Sequence, residues 1–338
     1  MDKRDGSLFS LMVRLASRRQ QDALQRATAL QRQFVDARNK VETASVLCGK
    51  RSEAADLYLR AVSVARGSRE ALAVAYQGHG ELDKAAEIYR AWLNEEPDNP
   101  VARHHLAACT GTDVPARAAE QYVEHTFDRF AETFDARLSE LHYRAPEFLA
   151  EAIGAIYGAP GKTLEVLDAG CGTGLCGPLI AGYARRLVGV DLSGEMLAKA
   201  RARGMYDELH KAELTAFLAA ARGEYDMIIS ADTLCYFGEL TGVSTAAYGA
   251  LRSDGCLAFT VEALDDFAAS GHRIEWHGRY AHARAYVEAT FTAAGFVELS
   301  ALPLSLRLDR GRPVNGLVVT CRKPVAAAAE LGAQPDHA

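Results

Sequence analysis

Apolar residues follow two different spacings along the chain, and the change comes near residue 160. Up to that point Ala, Leu and aromatic residues recur at intervals typical of helices. Beyond it, short apolar runs alternate with further helical patterns. Short runs of this kind predict buried strands, and strands that alternate with helices predict a parallel sheet covered by helices on both faces. We therefore predict an all-α part followed by an α/β part.

The strands and helices of the α/β part can be assigned from its apolar runs. Strands are expected at residues 164–168, 187–191, around 208–214, 225–232 and 257–262, and helices at 195–203, 217–222 and 283–294. Residues 296–300 and 314–321 predict two more strands with no helix between them. Because strands joined without a crossover helix pair in opposite directions, this ending favours an antiparallel edge.

A repeated sequence pattern marks the all-α part. Residues 49–58 (G-K-R-S-E-A-A-D-L-Y) match residues 80–89 (G-E-L-D-K-A-A-E-I-Y) at an offset of 31 (89 − 58). A shorter copy ending at Tyr122 lies 33 residues further on (122 − 89). Small residues allow paired helices to approach closely, and Pro97 and Pro100 suit the start of the next helix. With the A-x-x-x-A-Y pattern at residues 71–76, the repeat resembles a tetratricopeptide repeat.

The flanks of the repeats are predicted to be helical as well. Residues 1–43 form an N-terminal helical segment, either a cap on the repeats or an arm for a homodimer or a protein partner. Residues 44–115 carry the tetratricopeptide-like repeats, and residues 116–160 form a helical connector. In the connector Phe127, Phe130 and Phe134 are spaced to share one helical face. They predict either core packing or an aromatic lid over a ligand.

The most informative motif is L-E-V-L-D-A-G-C-G-T-G at residues 164–174. It places an apolar strand, then Asp168, then Gly170, Gly172 and Gly174, with a helical pattern after Gly182. Glycine accepts positive φ angles and lets a ligand approach the backbone, and helix starts present N–H groups. The motif predicts a turn that binds a nucleotide or a nucleotide-like ligand.

Two acids narrow the choice of ligand. Asp191 ends the second strand, where a carboxylate suits a ribose diol. The glycines also satisfy the dinucleotide pattern G-x-G-x-x-G. However, Asp168 would repel a pyrophosphate and attract a cationic amino-acid tail. The sequence V-L-D-A-G-C-G-T-G, with V-D-L-S at residues 190–193, resembles the class I S-adenosylmethionine-dependent methyltransferases.

The resemblance extends to a narrower group. F-D-x-F-A-x-x-F-D at residues 127–135, followed by L-x-Y-x-x-P, is similar to the entry segment of bacterial predicted methyltransferases that carry N-terminal tetratricopeptide repeats. It implies a seven-stranded, mostly parallel Rossmann-like sheet with an antiparallel edge strand over residues 161–323, and S-adenosyl-L-methionine as cofactor. Residues 324–338 are expected to form a disordered tail.

Cofactor-binding residues follow from the resemblance, motif by motif. Asp168 is expected to face the ammonium group, Asp191 the ribose hydroxyls and Leu192 the adenine, with Glu213 and Leu214 beside the adenine amino group. The family more often has Asp at the Glu213 position. The full expected set is Asp168, Gly170, Cys171, Gly172, Gly174, Asp191, Leu192, Glu213, Leu214 and Ala231.

Residues for the methyl acceptor are expected on the following strands. Asp232 and Tyr236 come after the strand at 225–232, and Glu262 ends the strand at 257–262. His282 is the candidate general base, because imidazole titrates near neutral pH; the alternative is a histidine in a structural hydrogen bond. His272, His277 and His282 recur every five residues, which does not place them on one helical face, so no metal site is expected.

Composition limits the partners and the compartment. The 338 residues are 49% hydrophobic and 24% charged, which is typical of a soluble globular protein. A net charge of −6 argues against nucleic acid bound on a broad basic face, although basic residues gather in the first forty. No apolar run predicts a membrane span. Seven cysteines without C-x-x-C indicate free thiols and a cytoplasmic location.

Together these observations predict an S-adenosylmethionine-dependent methyltransferase that acts on oxygen or nitrogen of a small molecule. Two alternatives remain open at this point. The helical repeats could dock a protein that is methylated, or the fold could be a binding scaffold without activity. The intact Asp168, the motif glycines and Asp191 count against a loss of activity.

Overall fold

The structure is a computed structural model that describes residues 69–264, 271–309 and 312–325. The chain divides into two compact units, Met1–Thr110 and Gly111–Ala338. The predicted N-terminal segment, the first copy of the repeat and most of the expected C-terminal tail lie outside the described residues. The homodimer or protein partner expected through the N-terminal helices therefore stays a prediction.

The described part of the first unit is helical. It contains α1 (Arg69–Gly78), α2 (Leu82–Glu95) and α3 (Pro100–Thr110). Their shared core consists of Ala73, Ala85, Tyr89 and Ala102, all fully buried. Alanine at three of these positions allows the helices to pack closely. Helix α3 begins at a proline, as the repeat pattern predicts. The tetratricopeptide assignment itself stays a prediction.

The second unit begins with three helices that correspond to the expected connector. These are α4 (Glu120–Phe130), α5 (Phe134–Glu140) and α6 (Ala145–Tyr157). The expected single phenylalanine face is wrong, because the chain leaves helix α4 at Phe130 and starts α5 at Phe134. The side chain of Phe130 is 53% exposed, whereas Phe127 and Phe134 contact each other edge to face at 5.8 Å.

A mixed α/β sheet forms the centre of the second unit, as the sequence predicts. Its strands are β1 (Leu164–Ala169), β2 (Ala184–Asp191), β3 (Glu208–Lys211), β4 (Tyr225–Ser230), β5 (Leu251–Leu264), β6 (His272–Ile274), β7 (Tyr280–Ala283), β8 (Val297–Asp309) and β9 (Arg312–Arg322). The order β3-β2-β1-β4-β5 is parallel throughout. The carboxyl ends of these strands therefore meet at one edge of the sheet.

The number of strands in the predicted sheet is corrected. The described residues form nine strands rather than seven, because the segment before residue 284 folds into the hairpin β6–β7 and pairs with the end of β5. The predicted antiparallel edge is confirmed, because β9 pairs antiparallel with both β5 and β8, and β8 pairs only with β9 among the described strands. Strand β5 pairs with β9 on one side and with β7 on the other. The two pairings overlap at Glu262, which lies opposite Gly316 of β9 and Ala281 of β7.

Helices cover both faces of the sheet. They are α7 (Gly177–Ile180), α8 (Gly194–Arg203), α9 (Leu214–Ala220), α10 (Thr241–Ala250) and α11 (Arg284–Ala293), with a short 3₁₀ turn at Leu234–Tyr236. Successive residues of β1 and β4 belong to two different cores. Leu167 and Ile228 belong to the larger core, and Val166 and Met227 belong to the smaller one. This alternation is that of a sheet buried on both faces. Within the described residues, no helix is both long and apolar enough to span a membrane.

Candidate functional site

The glycine turn follows β1 and leaves its backbone open to a pocket. Gly170 and Gly172 adopt φ angles of +77° and +53°, which an L side chain rarely takes. A Cβ on Gly170 would lie 2.1 Å from the Thr233 hydroxyl, so only glycine fits there. A Cβ on Gly172 would meet nothing within 4 Å, so this position faces open space.

Asp168 lies at the end of β1 and is 1% exposed. One of its oxygens, Oδ2, accepts a hydrogen bond of 2.6 Å from the Tyr206 hydroxyl. The other oxygen, Oδ1, is buried and has no hydrogen-bond partner among the described residues. Burial raises the pKa of Asp168 to about 7, although the Tyr206 hydrogen bond lowers it and the charge of Asp191 raises it. An unsatisfied buried carboxylate oxygen of this kind is costly unless a ligand supplies a donor.

Asp191 ends β2 and closes the glycine turn from the other side. Its Oδ2 accepts the Gly172 N–H at 2.9 Å, and its Oδ1 accepts the Ser193 N–H at 2.8 Å. Burial raises the pKa of Asp191 despite these hydrogen bonds. Each carboxylate oxygen can accept more than one hydrogen bond, so both retain capacity for a diol.

Gly174 has a different role from the one predicted. Its φ is +84°, but it does not line the pocket. A Cβ there would lie 2.9 Å from the Tyr206 ring and 3.3 Å from Ala200 of α8. The third motif glycine therefore permits close packing of Tyr206, which in turn holds Asp168.

Glu213 begins α9 and is less free than predicted. Its carboxylate caps the helix by accepting the N–H groups of Thr215 and Ala216 at 2.9 and 2.8 Å. It also forms an ion pair with Arg117. Burial opposes ionisation, but these hydrogen bonds and the Arg117 charge outweigh it and lower the pKa of Glu213. The carboxylate lines the pocket with these donors already in place.

The pocket lies between the glycine turn, the loops after β2 to β4 and the first helices of the second unit, and its volume is about 1090 Å³ when the part open to solvent is included. Nearly all of the predicted cofactor residues line it: Asp168, Gly170, Cys171, Gly172, Asp191, Leu192, Glu213, Leu214 and Ala231. From the predicted acceptor set, Asp232 and Tyr236 line it, and Glu262 and His282 do not. The sequence motifs, taken from strands far apart in the chain, are therefore brought to one cavity.

Helices α4 and α5 contribute residues to the wall of this pocket, and we refer to these two helices as the lid. Phe127 and Phe134 line it, and Phe127 also contacts the Tyr236 ring edge to face at 5.4 Å. Two hydrogen bonds attach the lid to the rest of the site, one beside Asp191 and one at the glycine turn. Asp128 accepts a hydrogen bond from the Ser193 hydroxyl at 2.5 Å, just after Asp191. Asp135 accepts one from the Thr173 hydroxyl at 2.6 Å, inside the glycine turn.

A group of four charged residues lies at the other side of the pocket, and we call it the charged cluster: Asp232, Glu262, Arg279 and Arg307. Arg307 is 7% exposed and joins both acids, at 3.0 Å from Asp232 Oδ2 and in a close ion pair with Glu262. Arg279 Nη1 lies 3.3 Å from Glu262 Oε1. Burial opposes the charge of Glu262, yet Arg279, Arg307 and His277 lower its pKa to about 2.

Asp232 has a strained backbone within this cluster. Its φ is +49°, in the left-handed region that non-glycine residues rarely adopt. Its N–H donates to the Thr260 hydroxyl at 2.8 Å, and Thr260 donates back to Oδ1 at 3.0 Å. These bonds and Arg307 hold the carboxylate at the pocket wall. Strain of this kind is concentrated at functional sites.

The assignment of His282 as general base is corrected. It lies in β7, is fully buried and does not line the pocket. Its Nε2 donates to the carbonyl oxygens of Phe237 and Gly238 at 2.8 and 3.2 Å, and Nδ1 is buried without a partner among the described residues. Burial lowers the pKa of His282 to about 4. The histidine therefore stays neutral and fixes the 3₁₀ turn that carries Tyr236.

Several residues that line the pocket or hold its acids in place escaped sequence reasoning. Tyr206 and Arg117 lie 38 and 96 residues from the acids they contact, and neither belongs to a motif. Arg279 lies among polar and aromatic residues at 278–286, and its direction depends on the β6–β7 hairpin. The one hint of Tyr206 in the sequence is that a tyrosine follows the glycine motif within the same part of the chain.

The residues around the glycine turn fit a sulfonium nucleoside. The free oxygen of Asp168 suits an ammonium donor, the open face of Gly172 leaves space for a ligand, and Asp191 is placed for a ribose. Among the residues that the structure describes, no group of His, Cys, Asp and Glu could hold a metal ion.

Comparisons with known proteins agree with this geometry. Residues 166–255 match a family model described as a methyltransferase domain. Over 107 residues the chain is 34% identical to human methyltransferase-like protein 27, covering 31% of this chain and 44% of that protein. Over 166 residues it is 29% identical to a malonyl-[acyl-carrier protein] O-methyltransferase of Enterobacter lignolyticus, covering 49% and 57%. The chain spans about half the length of the curated relatives it matches.

Two of the solved structures that are similar to part of this chain carry methyltransferase names. One is the 1,6-didemethyltoxoflavin-N1-methyltransferase of Burkholderia thailandensis with bound S-adenosylhomocysteine, at 18% identity and a TM-score of 0.48, covering 63% of this chain and 93% of that one. Another is the magnesium protoporphyrin IX methyltransferase of Synechocystis, at 20% identity and a TM-score of 0.44, covering 60% and 94%.

The domain match and the order of the sheet together support a class I methyltransferase. S-adenosylmethionine is the cofactor of this class and of the site.

Proposed function

We propose that this protein transfers a methyl group from S-adenosylmethionine to an oxygen or nitrogen atom of a small molecule. The observation that carries the proposal is the convergence of Asp168, the glycine turn and Asp191 on one pocket. Asp168 offers a buried oxygen for the amino group, and Asp191 offers a carboxylate for the ribose. The malonyl-[acyl-carrier protein] O-methyltransferase among the relatives supports oxygen as one of the acceptor atoms.

The chain would act mainly by position. S-adenosylmethionine supplies a methyl group that is already activated by its sulfonium, so the protein needs no metal-bound nucleophile and no covalent intermediate. Alignment of reacting groups can contribute about 7–11 kcal/mol in ideal intramolecular cases. Phe127 and Phe134 exclude water from above, and Asp232 and Tyr236 orient the acceptor from the side.

Asp191 provides the first test of this function. We predict that Asp191→Ala weakens the binding of S-adenosylhomocysteine by about tenfold or more, because it removes a charged acceptor and the partner of the Gly172 N–H. Isothermal titration calorimetry on the wild-type and variant proteins measures this directly.

Asp226→Asn is the matched control for that experiment. Asp226 also accepts a backbone N–H, from Glu165 at 2.7 Å, but it lies at the amino end of β4 and does not line the pocket. We expect its affinity for S-adenosylhomocysteine to equal that of the wild type. Equal affinity of Asp191→Ala and the wild type would remove Asp191 from the site and contradict the proposal.

A further inference from the structure

The charged cluster presents a cation to the pocket. Arg279 and Asp232 line the cavity, whereas Glu262 and Arg307 lie behind them. Both oxygens of Asp232 already accept hydrogen bonds, from Thr260 and Arg307. Arg307 likewise contacts Glu262 closely. Arg307 therefore supplies hydrogen bonds to both acids, and Arg279 forms fewer hydrogen bonds within the charged cluster than Arg307 does.

Arg279 is held in place by few contacts. Its guanidinium reaches Glu262 through one bond of 3.3 Å, forms a side-chain hydrogen bond with Tyr236 and lies 5.9 Å from the centre of the Tyr236 ring. A guanidinium carries five N–H donors in a planar fork that matches a carboxylate. The described partners of Arg279 use only part of this fork. Its remaining donors are available at the pocket wall, which Arg279 lines together with Tyr236.

The same wall lacks a base for an acceptor that must lose a proton. Among the described residues that line the pocket there is no histidine and no lysine. Burial raises the pKa of Tyr236 to about 12, although Arg279 opposes this shift. Burial also raises the pKa of Tyr143 well above its usual range. Asp168 and Glu213 are engaged at the cofactor end. An acceptor that is already ionised would need none of these groups.

Resting on the proposed function, we infer that the acceptor carries a carboxylate that Arg279 binds, and that the product is a methyl ester. One carboxylate oxygen donates a lone pair to the methyl carbon while the carbon–sulfur bond breaks. The electron pair of that bond stays on sulfur, which leaves as a neutral thioether, and no proton is transferred. The guanidinium holds the acceptor and matches its charge, while the neutral aromatic wall contacts the rest of the molecule.

The first experiment measures carboxylate binding without turnover. Acetate, butyrate, octanoate, benzoate and phenylacetate are titrated into the full chain saturated with S-adenosylhomocysteine, beside the corresponding primary amides. We expect at least one acid to bind and its amide to bind about tenfold more weakly or not at all, because charge-assisted hydrogen bonds are about twice as strong as neutral ones. Equal binding of acids and amides, or no binding of any acid, would overturn the inference.

Variants connect this binding to Arg279. We expect Arg279→Gln to weaken the acid by about tenfold or more and Arg279→Lys to retain part of the affinity, because a lysine keeps the charge but not the fork. Arg252→Gln is the control, since Arg252 also pairs with an acid, Asp226, but lies outside the pocket. Unchanged acid binding in both Arg279 variants would refute the role of this residue.

The second experiment identifies the bond that forms. The acid with the highest affinity is incubated with protein and methyl-labelled S-adenosylmethionine, and the product is treated with alkali. A methyl ester releases labelled methanol, whereas an ether or an N-methyl group keeps the label. Label that is absent or stable to alkali contradicts the ester.

Binding of S-adenosylhomocysteine separates this inference from the proposed function. If all Arg279 variants bind S-adenosylhomocysteine as the wild type does, they are folded and the acid titrations test the acceptor alone. If the wild type fails to bind S-adenosylhomocysteine, the proposed function itself is wrong.

Discussion

Asp168 shows how one residue can cost stability while it serves a ligand. Its carboxyl group is 1% exposed, and burial raises its pKa to about 7 from a reference value of 3.8. The folded protein therefore holds this proton more tightly than the unfolded chain does. As pH rises from 3.8 to about 7, the folded state loses stability. A cationic group beside Oδ1 would restore it.

We predict that Asp168→Asn stabilises the ligand-free protein at pH 8 and weakens its binding of S-adenosylhomocysteine. The gain reaches up to about 4 kcal/mol, because the amide removes a buried charge yet still accepts the Tyr206 hydroxyl. Thermal unfolding at pH 8 and pH 5 measures the first effect. At pH 5 the wild-type carboxyl is largely protonated and the difference should shrink. A variant that is less stable than the wild type at pH 8 would contradict this account.

Glu262 is the opposite case, an acid stabilised by its neighbours. Arg279, Arg307 and His277 overcome its burial and lower its pKa to about 2 from 4.5. Its contribution to stability is therefore complete above pH 4.5 and is lost as pH falls toward 2. We predict that Glu262→Gln destabilises the protein at pH 7 by about 3–5 kcal/mol, because two guanidiniums lose their shared carboxylate. Urea unfolding measures the change.

Glu208→Gln is the control for that measurement. Glu208 pairs with Arg186 at 2.8 Å on the surface, where its side chain is 43% exposed. A surface pair of this kind contributes about 0–1 kcal/mol. Equal destabilisation by the two substitutions would show that the burial of Glu262 does not matter.

The positions of single residues were predictable where a sequence motif places them at the end of a strand. Asp168 and Asp191 end strands, so the sequence could place both at one edge of the sheet, and the structure brings both to one pocket. The partners of these and other acids were not predictable. Tyr206 and Arg117 meet their acids only after the chain has folded, and His282 turned out to bond to backbone carbonyls instead of facing the pocket.

At the scale of elements, two polar contacts hold the lid against the rest of the site. Asp128 of α4 bonds to Ser193, and Asp135 of α5 bonds to Thr173. These bonds attach the lid to the loop after β2 and to the glycine turn. Because a ligand in the pocket would lie between the lid and these segments, the same contacts should control how fast it leaves.

We predict that the double substitution Asp128→Ala and Asp135→Ala raises the dissociation rate of S-adenosylhomocysteine by about tenfold, since two charge-assisted hydrogen bonds are lost. Surface plasmon resonance measures this rate. Glu140→Ala is the control, because Glu140 lies on α5 but pairs only with Arg137 at the surface among its described contacts. A dissociation rate that stays at the wild-type value in the double variant would rule out the lid as a gate.

The elements also show the limits of pattern reading. Strands β1, β2, β4 and β9 were predictable from their apolar runs. The hairpin β6–β7 was not, because its strands of three and four residues carry His and Arg and lack a long apolar run. The phenylalanine spacing suggested one helix, but it cannot reveal that the chain turns between Phe130 and Phe134. Spacing predicts a shared face only where the helix continues.

At the scale of the whole molecule, the parallel order of the sheet determines where chemistry can occur. The strands β1, β2 and β4 run in the same direction, so Asp168, Asp191 and Asp232 come to one edge from separate parts of the chain. This is the edge at which α/β sheets bind ligands. The mixed α/β class was predictable from strand–helix alternation. The position of β9 inside the sheet was not, since pairing partners of late strands depend on tertiary packing.

All of the described pocket lining belongs to the unit Gly111–Ala338. The central claim is that this pocket holds a sulfonium nucleoside between two acids. A crystal structure of the full chain with S-adenosylhomocysteine tests it most directly. We predict the ribose hydroxyls at Asp191 and the amino group at the free oxygen of Asp168. A nucleoside bound elsewhere, or one whose ribose and amino group contact neither carboxylate, would contradict the account.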